Sequence, residues 1–381
     1  VSASALARPP LVASLKSGLD APICLTWELT YACNLQCVHC LSSSGQRDDR
    51  ELSTTEAKQV LDELRAMQVF YINIGGGEPM VRRDFFELIE YAVTPTNGTD
   101  GIGVKFSTNG AFIDSANARR LAAMDYLDIQ ISLDGIDAAT NDAIRGAGSY
   151  TMARRAMDNL AGANFGPFKI SVVATRHNVS QLDDFKALAD SYGAQLRLTR
   201  FRPSGRGADT WADLHPTQAQ QREIYNWLML HGHVEGEMAV LTGDSFFHLN
   251  ALGDPLPGLN MCGAGRVVCL IDPIGDVYAC PFVIHDEFHA GNVREAGGFG
   301  HIWRESDLFT SLREPQSAGA CASCGAFDAC QGGCMAAKFF TGMPLDGPDP
   351  ECVLGNGATA VAIALKPRPA ADHSKPARRV R

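Results

Sequence analysis

From residue 23 to residue 200 the apolar positions switch repeatedly between a period of two and a helical period. The runs ICLTWEL (23–29), VFYINI (69–74), VKFSTN (104–109), LDIQISL (127–133), KISVVAT (169–175) and LRLTRF (196–201) are short, partly alternating and rich in β-branched and aromatic residues. That pattern predicts six strands. Helical spacing fills the intervals. The first helix opens at Ser53-Thr-Thr-Glu56, where serine and glutamate can each satisfy an amide of the first turn, and others are expected near 84–92, 115–123, 149–162 and 179–191. Repeated strand–helix alternation predicts a parallel sheet with helices outside, curled into a barrel or an incomplete one, and places an active site at the C-terminal strand ends. CNLQCVHC (33–40), GGGEP (75–79), STNG (107–110) and SLDG (132–135) follow the first four runs, so all four motifs are expected on one rim.

After residue 205 the alternation stops. Residues 206–260 read as a connector with a helix near 217–231, and VVCLIDPIGDVYACPF (267–282) as a β-hairpin turned at Pro273-Ile-Gly275-Asp. Residues 321–352 are glycine-rich and cysteine-dense with little apolar periodicity, so they are expected to need metal to hold their shape. The expected division is an N-terminal extension (1–20), a barrel (21–205), the connector (206–260), a cysteine-rich domain (261–355) and a disordered basic tail (356–381). Asn97-Gly-Thr reads as a flexible turn.

Composition narrows the function classes. A chain of 381 residues that is 45% apolar can bury a large core, and no apolar run approaches the roughly 20 residues that cross a bilayer. The N-terminus lacks a secretory pattern, so no membrane partner and a cytoplasmic location are expected. A formal charge of -10 argues against nucleic acid, whose binding relies on a basic surface. Twelve cysteines in a reducing compartment are more readily metal ligands than disulfides. Cys33, Cys37 and Cys40 form a front group, and Cys262, Cys269, Cys280, Cys321, Cys324, Cys330, Cys334 and Cys352 a rear one. Cys24, inside the first strand, reads as a small buried hydrophobe. Three thiolates favour zinc or an iron–sulfur cluster. Zinc would need a fourth ligand, and His39, the local candidate, is adjacent to Cys40 and cannot easily reach the same ion. A cubane on three cysteines leaves one iron open, which accounts for the number three.

The C-x3-C-x2-C spacing after a first strand, with GGEP after a second, resembles the radical S-adenosylmethionine (SAM) superfamily. The resemblance implies a partial (β/α)6 TIM-like barrel and a 4Fe–4S cluster on Cys33, Cys37 and Cys40 whose free iron is chelated by SAM. Reduction then yields a 5′-deoxyadenosyl radical that removes a hydrogen atom from an unactivated carbon. It further implies that Gly76, Gly77, Glu78 and Pro79 hold the SAM amino group, that Ser132 and Arg145 meet its carboxylate, and that Ser107, Thr108 and Asn109 lie near ribose and methionyl groups. His39 would sit beside the adenine. The rear cysteines resemble the SPASM extension of the same superfamily, a C-terminal auxiliary-cluster domain. This implies one further 4Fe–4S cluster on Cys262, Cys280 and Cys334 and another on Cys321, Cys324, Cys330 and Cys352, three clusters in all. Cys269 reads either as the fourth ligand of the first auxiliary cluster, the favoured assignment, or as a buried thiol.

Longer stretches, among them APICLTWELTYACNLQCVHCLSSSG, RFRPSGRGAD and GGCMAAKFFTGMPLDGPDPEC, resemble the mycofactocin family of radical SAM peptide maturases. That likeness implies a small precursor peptide ending in Val-Tyr, oxidative decarboxylation of the tyrosine, and then a C–C bond to the valine. A flavodoxin- or ferredoxin-type reductant is implied as well. Relatives with a fused peptide-binding domain carry it before the barrel, and the 32 residues before Cys33 are too few for one, so a separate small peptide-chaperone protein is expected to present the precursor. Two alternatives stand beside this reading: another SPASM peptide modifier (thioether-forming or sulfatase-activating), and a non-catalytic iron–sulfur electron carrier. Arg202, Arg206, Phe247 and His248 are candidates for steering the substrate.

Overall fold

The computed structural model describes residues 18–356 apart from 97–99, 233–237, 243–245, 259 and 315–318. The basic tail, most of the N-terminal extension and the Asn97 turn therefore lie outside the described residues.

The six predicted strands are present as β1 (Cys24–Glu28), β2 (Tyr71–Gly75), β3 (Gly103–Thr108), β4 (Leu127–Ser132), β5 (Lys169–Ala174) and β6 (Gln195–Arg200), every neighbouring pair parallel. Between them run α1 (Thr54–Ala66), α2 (Phe85–Val93), α3 (Ser115–Ala122), α4 (Ala138–Arg145), α5 (Ser149–Gly162) and α6 (Leu182–Ser191). The Ser53 capping box of α1 forms as expected. Alternation within the strands decides which way each side chain faces. Leu25, Trp27, Ile72, Ile74, Val104, Phe106, Ile129, Ile131, Ile170 and Leu198 are buried in one core with helix residues such as Val60, Leu88, Leu121, Leu160 and Phe185. Each such side chain contributes roughly 1.5–3 kcal/mol through its burial. The opposite face is polar: Thr26, Glu28, Asn73, Ser107, Ser132, Ser171 and Thr199 line a cavity of about 350 Å3. Side chains from all six parallel strands meet at this one cavity, which requires the sheet to curl around it.

Past β6 the sheet extends beyond the six predicted strands. The connector holds α7 (Gly207–Leu214) and α8 (Gln218–His231) and is tied to β6 by a bridge between Arg197 and Leu241. The expected hairpin becomes β7 (Val268–Ile271) and β8 (Asp276–Tyr278), joined by β9 (His289–Asn292). β7 pairs parallel with β1, so the sheet is nine-stranded in the order β6-β5-β4-β3-β2-β1-β7-β8-β9. The rear segment thus continues the barrel sheet, and Cys262, Cys280 and Cys334 line the same cavity as the six parallel strands. Helices α9 (Gly298–Glu305), α10 (Asp307–Arg313), α11 (Phe327–Cys330) and α12 (Met335–Phe340) complete the described elements. All six residues of α12 are buried, so this part of the cysteine-rich region has an apolar core after all.

Candidate functional site

The loop after β1 is fastened on three sides. Its ends meet through Cys33 N donating to Gly45 O at 3.0 Å and Gly45 N to Tyr31 O at 2.8 Å. The GGGEP loop lies directly beneath: Gly77 N donates to Thr30 O at 2.7 Å and Glu78 N to Ala32 O at 2.9 Å. A Cβ at Gly77 would stand 2.0 Å from the Ala32 carbonyl oxygen, and one at Gly76, where φ is +114°, 2.6 Å from that of Thr30. Both glycines are therefore required for the two loops to touch. On the far side Val38 N donates to Ile144 O at 2.9 Å, while Arg206 Nε donates to Cys37 O and Thr210 Oγ1 to Val38 O.

Glu78 locks the second and third strand ends together. Its buried carboxylate accepts from Thr108 Oγ1 at 2.9 Å, Asn109 N at 2.8 Å and Met80 N at 3.3 Å. Burial pushes its carboxyl up to about 7 in spite of these donors. Asn109 reaches back to the cysteine loop through Nδ2, which donates to Asn34 Oδ1 at 2.9 Å. Pro79 starts a single 3-10 turn behind the cavity wall. Ser107 accepts from Gln130 Nε2 at 3.1 Å and, like Ser132, faces the cavity.

Asp134 is the residue sequence reading missed here. It is fully buried in the SLDG turn; Oδ2 lies 2.7 Å from His39 Nε2 and 2.6 Å from Arg145 Nε, and Oδ1 accepts from Val173 N. Burial alone would raise its carboxyl, but Arg145 and His39 outweigh that and hold it well below the usual range. His39 and Arg145 are thus held by one carboxylate. Glu28 was missed too: it lines the cavity, and burial and the nearby Asp272 push its carboxyl up to about 8. Its Oε2 has no hydrogen-bond partner among the described residues.

Cys33, Cys37 and Cys40 line the main cavity, and Cys262, Cys280 and Cys334 line it as well. Cys321, Cys324, Cys330 and Cys352 line a second, smaller space of about 20 Å3, beside His248. Cys269 lines neither space. Its neighbour Val268 faces the main cavity, so strand alternation turns Cys269 into the core, where it is fully buried. Cys24 corrects its assignment in the other direction, since it is half-buried and lines the cavity. Of the four steering candidates, Arg202, Arg206 and Phe247 line the main cavity, whereas His248 is turned away and sits against Gln221.

The donor set fits iron–sulfur clusters. Burial pushes the Cys33 thiol up to about 11 and raises those of Cys37, Cys262 and Cys280, so these sulfurs become thiolates only against strong positive charge. Among the described residues no three His, Cys, Asp or Glu side chains gather closely enough to hold a single ion. The thiols instead surround a space.

Comparison with known proteins agrees with this geometry. Residues 27–189 match the radical SAM superfamily, and residues 262–325 match an iron–sulfur cluster-binding domain. The chain is 66% identical to the mycofactocin maturase MftC of Mycolicibacterium smegmatis, over 96% of this chain and 92% of that protein. It is 65% identical to the mycofactocin maturase MftC of Mycobacterium ulcerans, over 98% and 99%. Among solved structures, Streptococcus suis SuiB bound to S-adenosylmethionine superposes with a TM-score of 0.68 at 19% identity, covering 90% of this chain and 80% of that one.

Proposed function

The chain belongs to the radical SAM superfamily and, within it, to the mycofactocin maturase family, and from that premise we propose that it oxidatively decarboxylates the C-terminal tyrosine of a small precursor peptide and then joins that residue to the preceding valine by a C–C bond. Membership implies a 4Fe–4S cluster and SAM, and the second matched domain implies further iron–sulfur clusters. In this reading Cys33, Cys37 and Cys40 hold the SAM-binding cluster, Cys262, Cys280 and Cys334 an auxiliary cluster in the same cavity, and Cys321, Cys324, Cys330 and Cys352 a second one. The observation that supports it is that Cys33, Cys37 and Cys40 share one cavity with Cys262, Cys280 and Cys334, which suits hydrogen abstraction and electron removal on a single bound peptide. When bound, cluster and SAM supply one-electron cleavage of the sulfonium and, through it, removal of a hydrogen atom from a peptide carbon.

The protein's residues supply position. Glu78 fixes the Gly76–Pro79 loop against the cysteine loop, so that its carbonyls can meet the SAM amino group. Asp134 sets the plane of Arg145, which with Ser132 would meet the SAM carboxylate, and orients His39 toward the adenine. Ser107, Thr108 and Asn109 would complete the ribose and methionyl side. Electrons enter from a flavodoxin- or ferredoxin-type protein, and a separate small protein presents the precursor.

Mass spectrometry of the precursor after incubation with reduced protein and SAM tests the function. Decarboxylation removes carbon dioxide and two hydrogens in total, and the later ring closure leaves that mass unchanged. A product lacking two hydrogens and nothing else would identify a thioether former instead. Asp134→Asn removes the charge shared by Arg145 and His39, and is expected to raise the KM for SAM about 10–100-fold, as loss of an orienting partner does elsewhere. 5′-Deoxyadenosine formation followed against SAM concentration checks it; an unchanged KM would mean that Asp134 serves folding alone.

A further inference from the structure

We propose that the main cavity contains a carboxylate-binding subsite anchored by the Arg202 guanidinium, and that it receives the C-terminal carboxylate of the peptide. The inference rests on the peptide-maturase reading above.

Four other guanidinium groups reach this cavity, and those of Arg145, Arg200 and Arg206 are occupied. Arg145 faces Asp134. Arg200 places Nη1 and Nη2 on Asp349 and Nε on Glu351, at 2.9, 2.5 and 2.5 Å. Arg206 donates to the backbone carbonyls of Cys37 and Ser44. Arg197 lies deeper in β6, with Nη1 3.4 Å from Ser171 Oγ. Arg202 differs from all of these. It is 7% exposed, yet no carboxylate among the described residues pairs with it. Its Nε lies 3.4 Å from Cys334 Sγ, and Nη1 makes only a long contact of 3.5 Å with Arg200 O. Nη2 donates to no described residue.

Nε is spent on Cys334, whereas Nη2 is without an acceptor among the described residues and the side chain lines the cavity. The plane of the guanidinium is fixed, because its carbon stacks 3.9 Å from the Phe282 ring centroid. A planar fork with unspent donors suits a carboxylate bound through two oxygens, a geometry that lysine cannot reproduce. Among the groups of a peptide's last residue, the terminal carboxylate is the one that internal residues lack. Seated on Arg202 it would lie beside Cys334, and the residue bearing it would point its side chain back toward Cys33, Cys37 and Cys40 across the same cavity. The subsite would therefore select the end of the peptide rather than an internal tyrosine.

Binding of two precursor peptides to the reconstituted holoenzyme in the presence of the presenting protein tests the proposal, one peptide with a free C-terminal carboxylate and one amidated there. Wild-type protein is expected to prefer the free carboxylate about 10–100-fold, the range for a hydrogen bond to a charged group. Arg202→Gln should abolish the preference, and Arg202→Lys should restore part of it. Iron content of each variant separates a lost subsite from a lost cluster. If wild type shows the preference and Arg202→Gln keeps it, the subsite is overturned while the maturase reading stands. If wild type neither binds nor converts either peptide, the maturase reading falls and takes the subsite with it.

Discussion

A Cys33→Ala, Cys37→Ala, Cys40→Ala variant is expected to form no 5′-deoxyadenosine above background from SAM and reductant, while keeping its fold. The physical reason is the position of these thiols. They sit on a loop that hangs outside the core and is held by backbone hydrogen bonds from Gly45, Gly77, Glu78 and Val38, none of which uses a cysteine side chain. Replacing three half-buried sulfurs with methyl groups leaves those bonds in place. Circular dichroism should therefore be close to that of wild type while SAM cleavage is lost. Loss of both would instead mean that the loop needs its cluster to fold.

The second large effect is on stability. Arg200→Leu is expected to cost about 3–5 kcal/mol, the usual consequence of removing one partner of a buried ion pair. Arg200, Asp349 and Glu351 are each at least nine-tenths buried, and Arg200 spans 149 residues of sequence to grip Asp349. Asp349 in turn accepts from Cys334 N at 2.7 Å, and Glu351 from Gln221 Nε2. The pair thus ties the end of β6 to the segment that carries Cys334 and Cys352. Burial would raise the Asp349 carboxyl, but Arg200 outweighs it and holds it far below the ordinary range, so it is charged at neutral pH. Without Arg200 that charge is stranded. Anaerobic urea unfolding measures the loss, and Arg200→Leu combined with Asp349→Asn and Glu351→Gln should recover much of it, since neither carboxylate is then left charged without its partner. Because the folded-state carboxyl of Asp349 is depressed, its contribution is present above the unfolded value of 3.8 and fades as pH falls through the lower folded one. Unfolding midpoints compared near neutral pH and near pH 3 should show the gap between wild type and Arg200→Leu shrinking in acid.

Much of this was legible in the chain because its signals are local. CNLQCVHC and GGGEP are contiguous, and the six strands announced themselves by alternation, each within two residues of its observed bounds. What escaped is long-range or lacks a period. Asp134 is a single acidic residue in a turn, and its partner His39 lies 95 residues away. Helix α4, which carries Arg145, has only eight residues and an Asp137 cap that looks like any loop aspartate. Helix α12 was hidden for the opposite reason: a helix buried on every side has no polar face to mark its turns. β7 was read within a hairpin, but nothing in its four residues says that its other edge pairs with β1.

The central claim is that the front three cysteines hold a cluster separate from those of the rear group. Iron and acid-labile sulfide should be counted on anaerobically reconstituted wild type and on the triple-alanine variant. With three four-iron clusters, about twelve irons per chain are expected in the wild type and about eight in the variant. Equal counts in the two proteins would contradict the claim.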